Sequence, residues 1–143
     1  MKMKLLSLAG IMLLLISCAD PYGAAAKTAA DIAAGVGAGL STVQSLHVSG
    51  TITEPEALNA AGYLKFVNDA DGAFETCIGA AHTAATKTGA FTSCTQTFVT
   101  GLNNPTELAL IHVANTQASQ TLSAIASGFV TGLQTLSASL GGA

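Results

Sequence analysis

The feature that most constrains this chain is the placement of its three prolines, each of which stands where an α-helix would begin. Asp20-Pro21, Glu54-Pro55 and Asn104-Pro105 all put proline in a first turn, where its missing N–H removes no intrahelical hydrogen bond. Thr53-Glu54-Pro55-Glu56 has the capping-box spacing, with the threonine side chain facing the N–H of Glu56. Asn104-Pro105-Thr106-Glu107 is a looser version of the same device. Both place carboxylates at the positive end of a helix dipole. These independent start signals predict an all-α fold.

Apolar spacing fills in the helices. The first is expected from Pro21 or Ala24 to about His47, with Ile32, Val36, Leu40, Val43 and Leu46 on one face. Gly35, Gly37 and Gly39 weaken it by roughly 1 kcal/mol each relative to alanine. Their expected use is close approach of a neighbouring helix, since no lysine follows and no strand precedes to make a phosphate loop. Ser49-Gly50-Thr51 ends the helix.

The second helix is expected from about Pro55 to Thr83. Its buried side is Ala57, Ala61, Leu64, Val67, Ala70, Phe74, Ile78 and Ala81, and Lys65, Asn68, Asp69, Asp71, Glu75 and Thr76 lie mostly opposite. A shorter segment, about Ala90 to Leu102, carries Phe91, Cys94, Phe98 and Leu102 at helical spacing. Its threonines and Val99 also suit a strand, but strand alternation would put Phe91 and Phe98 on opposite faces, so helix is preferred.

The last helix is expected to run unbroken from Pro105 to about Leu140, near 50 Å at about 1.5 Å per residue. Its stripe is Ala118, Leu122, Ile125, Phe129, Leu133, Leu136 and Leu140. Several of these recur eleven apart, which suits nearly straight packing over a heptad coiled coil. The expected architecture is a small bundle of about four helices, three long and one short.

Charge narrows the function classes. Charged residues make up 9% of the chain and arginine is absent, against about 25% charged in an ordinary domain. From Thr88 to Ala143 the sole charged side chain is Glu107. Nucleic-acid binding requires several phosphate-neutralising cations, so that class is excluded. Aromatics are 5% and tryptophan is absent, so the core is expected to be aliphatic.

The side chains that carry chemistry do not converge. His47 and His82 fall near opposite ends of an up-and-down bundle, and no Cys/His cluster accompanies either them or His112; no metal site is expected. Asp69, Asp71 and Glu75 lack the spacing of a calcium loop and read as a solvated helix face. No serine, histidine and acid are placed as a triad, and oxyanion stabilisation would rest on backbone alone. An enzyme is not expected, and no cofactor.

The N-terminus supplies the address. Lys2 and Lys4 form a positive head, Leu5 to Ile16 is an apolar run of about a dozen residues, and Leu15-Ile16-Ser17-Cys18 closes it. That is the grammar of a cleaved signal peptide, too short for a bilayer span of about 20 residues. The closing tetrapeptide resembles the lipobox of bacterial lipoproteins. The resemblance implies a diacylglyceryl group on the Cys18 thiol, cleavage before Cys18 and an N-acyl chain on the new amine. Residues 1–17 would then be the signal peptide and 18–143 a lipid-anchored domain. Ala19 after the cysteine, by the same resemblance, favours the outer membrane facing the periplasm in a diderm host.

An exported chain that commits Cys18 to lipid keeps Cys77 and Cys94, which are read as one disulfide. They lie eight or nine residues either side of Thr86, so two antiparallel helices joined there would bring them level. Closing such a loop stabilises by roughly 3 kcal/mol.

Gly128-x-x-x-Gly132 has the small-x-x-x-small spacing that admits close approach. With the expected third helix much shorter than the last, part of the stripe at Phe129, Leu133, Leu136 and Leu140 is left either as core or as an open patch, which would mark an interaction site. The expected role is that of a non-enzymatic envelope lipoprotein, structural or partner-binding, its partners being the membrane, a second copy or another envelope protein. The alternatives are a carrier of a small apolar ligand or lipid, and a phage- or plasmid-borne exclusion lipoprotein.

Overall fold

A computed structural model describes residues 20–85 and 87–140, so Cys18 and the lipobox lie outside the described residues. Among these the fold is all-α. Helix α1 spans Pro21–Val48, α2 Glu54–His82 and α3 Lys87–Leu102. A single turn, α4 (Pro105–Leu108), continues into a 3-10 turn at Ala109–Ile111, and α5 spans Thr116–Ser139. Each long helix packs on its neighbour in the chain, and α5 closes the ring against both α1 and α3.

The start signals work as local physics dictates. Asp20 caps α1, its carboxylate accepting from the Tyr22 N–H at 3.1 Å. Thr53 and Glu56 form the full capping box of α2. The backbone N–H of Thr53 donates to Glu56 Oε2 at 2.8 Å, and the N–H of Glu56 donates to Thr53 Oγ1 at 3.4 Å. Between α1 and α2, Gly50 takes a positive φ of 76°. The Gly50 N–H bonds to the His47 carbonyl and the Thr51 N–H to the Leu46 carbonyl, at 3.0 and 2.9 Å. This is the left-handed helix stop that glycine permits without strain.

The last helix departs from expectation. The run from Pro105 to Leu140 is broken between Ile111 and Thr116. Asn104 does start a helix, accepting from the Thr106 N–H at 3.0 Å, but that helix lasts one turn. Asn115 starts the second, accepting from the Ala118 N–H at 2.9 Å. The intervening backbone is held by a distant group: the Ala114 N–H donates to Glu56 Oε1 at 2.7 Å. One carboxylate thus closes the α2 capping box and pins the break that precedes α5.

The core is aliphatic with a few aromatics. Tyr63, Leu64, Val67, Phe91, Leu102 and Leu133 are all at most 2% exposed. Phe74 and Phe98 meet across α2 and α3, their ring centres 5.3 Å apart. Cys77 and Cys94 are joined in a disulfide, Cα to Cα 5.8 Å, which ties the end of α2 to the middle of α3. Two placements differ from expectation. Leu40 is exposed at 43%, its place on the α1 face taken by Gly39. Asp71, expected on the solvated face of α2, is buried.

Tyr22 stacks on His82 with ring centres 4.4 Å apart and lies 6.4 Å from Phe91. These contacts put the start of α1, the end of α2 and the start of α3 at one pole. The Glu56–Ala114 bond marks the opposite pole.

Candidate binding groove between α1 and α5

The α1–α5 seam is open along one side. α1 and α5 run antiparallel, and between them lies a groove of about 1110 Å³ that begins at Asp20 and Ser139 and ends at Thr42 and Ala124. Its openness comes from residue size. Gly23, Ala24, Ala38, Ala124, Gly128 and Gly132 present almost no side chain to it, while Ile32, Phe129 and Leu136 supply the apolar walls.

The glycines of the seam fall into two kinds. Gly35 and Gly39 are notches: a Cβ at Gly35 would stand 2.8 Å from the Phe129 ring, and one at Gly39 would stand 2.9 Å from a Leu64 methyl. These two positions let neighbouring side chains sit directly on the α1 backbone, as the expected close approach requires. Gly37 points elsewhere and meets nothing within 4 Å. Gly128 and Gly132 also meet nothing within 4 Å, so their missing side chains leave space in the groove and no helix backbone fills it.

The stripe of α5 is divided accordingly. Phe129, Leu133, Leu136 and Leu140 are buried at 6, 0, 3 and 6% exposure. Their large side chains belong to the core of this one chain, so the open apolar patch expected as one alternative at Phe129, Leu133, Leu136 and Leu140 does not form. Gly128 and Gly132 remain accessible, as floor of the groove. The sequence pattern had paired these glycines with that stripe. What it did not reveal is that they face small residues of α1 about a hundred positions earlier.

Charge is confined to the half of the groove before Phe129. Asp20 stands at its end and Lys27 and Asp31 follow along α1, where the Lys27 ammonium donates to Asp31 at 2.7 Å. Both partners of that pair are mostly exposed, so the bond contributes little to stability.

Two buried polar groups lie elsewhere. Asp71 is 3% exposed and its Oδ1 has no hydrogen-bond partner among the described residues. Burial, reinforced by the Glu75 carboxylate, pushes its carboxyl up to about 6. The Tyr63 hydroxyl is likewise buried without a partner, and burial together with Glu107 pushes it up to about 12. Neither residue lines the groove.

His47 and His82 close the last turns of α1 and α2, and His112 lies in the break before α5. Among the described residues no group of three or more His, Cys, Asp or Glu side chains is placed to hold a metal ion. No described helix is long and apolar enough to cross a membrane. No family model, curated protein or solved structure matches the chain.

Proposed function

We propose that this protein is a lipid-anchored, non-enzymatic binding module of the bacterial cell envelope, whose α1–α5 groove receives an apolar chain. The anchor rests on the lipobox-like Leu15-Ile16-Ser17-Cys18. Two or more acyl chains are what make such attachment stable, and Ala19 favours the outer membrane of a diderm host.

The observation that carries the binding role is the groove: a preformed apolar trough whose charged residues all lie on the Asp20 side of Phe129. Small-molecule sites are concave, mostly apolar and of about 300–1,000 Å³, with a few polar groups fixing orientation. A linear hydrocarbon with a polar head matches that distribution. Its tail needs no hydrogen bonds from glycine and alanine, and its head would stand among the polar groups at the Asp20 end.

The test is a titration of a fluorescent fatty acid into the unlipidated Cys18→Ser domain. Saturable binding that Gly132→Leu abolishes is expected. A side chain there projects into open groove, so the variant should fold as the parent does. Gly37→Leu, which also enters open space but lies outside the groove, should bind normally. Absence of saturable binding, or equal binding by both variants, rejects this role.

A further inference from the structure

We propose that the occupant of the α1–α5 groove is an acyl chain of the protein's own anchor, carried on Cys18 and folded back along α1. The inference rests on the lipoprotein reading of the N-terminus, and it adds where that lipid goes when it is not in a bilayer.

Position is the first argument. Asp20, where α1 is capped, itself lines the polar end of the groove. Cys18 is two residues upstream, and two residues of chain span at most about 7 Å. A lipid attached at Cys18 is therefore tethered within that reach of the groove's polar end.

Length and chemistry agree with it. From Asp20 to Thr42 the groove follows α1 for about 33 Å at the rise of a helix. The hydrocarbon core of a bilayer is about 30 Å for two opposed acyl layers, so one chain needs about half that and fits with room to spare. The Phe129 ring, seated on Gly35, stands partway along the groove. The stretch between Asp20 and Phe129 is the one nearest the tether, walled by Ile32 and Leu136 and floored by Gly132. Asp20 and Ser139 stand where the glyceryl ester would be, and Ile32 and Leu136 where the methylenes would lie. An acyl chain exposed to water loses about 0.8 kcal/mol per methylene relative to burial, so a trough beside the tether offers it shelter in aqueous surroundings. Insertion of the same chain into a membrane then empties the groove.

The experiment uses the full chain, produced in a lipoprotein-processing bacterium fed a palmitate analogue bearing a diazirine. Isotopically heavy and light protein are mixed, held below the micelle-forming detergent concentration, irradiated and mapped by mass spectrometry. The expected result is label on Cys18 with crosslinks inside the same chain to the groove face of α5, at Gly132 and Leu136 above all. These should fall at least tenfold in Gly132→Leu and persist in Gly37→Leu. Label on Cys18 without crosslinks to α5 overturns this inference and leaves the anchor standing. Heavy-to-light crosslinks overturn it in favour of a second copy as host. Absence of label on Cys18 overturns the anchor and this inference together.

Discussion

Asp71 is the one charged residue among those described that the fold takes out of water. Its carboxyl is neutral in both folded and unfolded chains at low pH. Between its ordinary value of 3.8 and its folded value of about 6, the folded chain holds a proton that the unfolded chain has lost. Stability from this site is therefore complete below about pH 4 and declines as pH rises through 6. Two units at 1.36 kcal/mol each set the loss at about 3 kcal/mol. Asp71→Asn should remove the decline, raising stability at pH 7.5 by roughly 2–3 kcal/mol and changing it little at pH 4. Urea midpoints at the two pH values check this; a variant no more stable than wild type at pH 7.5 refutes it. Glu56 acts in the opposite sense. The Ala114 and Thr53 N–H groups hold its carboxyl below the usual value of 4.5, so its contribution is present above that pH and lost as pH falls through the folded value.

At the scale of elements, the helices differ in how far local residues determine them. α2 was legible because Thr53, Pro55 and Glu56 form its start within four residues and Phe74, Ile78 and Ala81 follow at helical spacing. The disulfide was legible for a similar reason, since Cys77 and Cys94 are equidistant from the turn that pairs their helices. The break before α5 was not. Asn115 is a capping residue in plain view, but what holds the Ala114 N–H is Glu56, 58 positions away. Asp71 was misplaced because its charge was read as solvent-facing, although Val67, Asp71, Phe74 and Ile78 recur at spacings of four, three and four and so share one buried face. In α1, the sequence alone could not tell three similar glycines apart; the packing does. Gly37→Ala should stabilise by about 0.5–1 kcal/mol, the helix-propensity difference, because nothing lies near its Cβ. Gly35→Ala gains the same propensity but forces its Cβ against the Phe129 ring, and overpacking costs about 1–3 kcal/mol. The net expectation is a loss of about 1 kcal/mol. Thermal unfolding of the two variants side by side decides it, and stabilisation by both would refute the notch.

For the whole molecule the deciding matter is what the uncharged C-terminal helix is packed against. From sequence, its stripe was compatible with core or with interface, because α3 alone is too short to cover it. Three-dimensional closure resolves this: α5 lies between α1 and α3, and the two together bury Leu133 completely. The groove was illegible for the complementary reason, since it is made by small residues from opposite ends of the chain that no local pattern relates. Leu133→Glu should therefore unfold the isolated chain. The substitution removes a fully buried leucine, a loss of about 2–5 kcal/mol for such truncations, and puts an unpaired carboxylate in its place at several kcal/mol more. Set against a total stability of about 5–15 kcal/mol for a domain, the combined loss is enough to abolish the fold. Circular dichroism of the Cys18→Ser/Leu133→Glu protein should show most of the helical signal gone, because α1 and α3 lose the helix that joins them. A folded variant whose only change is dissociation of an oligomer would place Leu133 at an interface between chains and contradict the bundle described above.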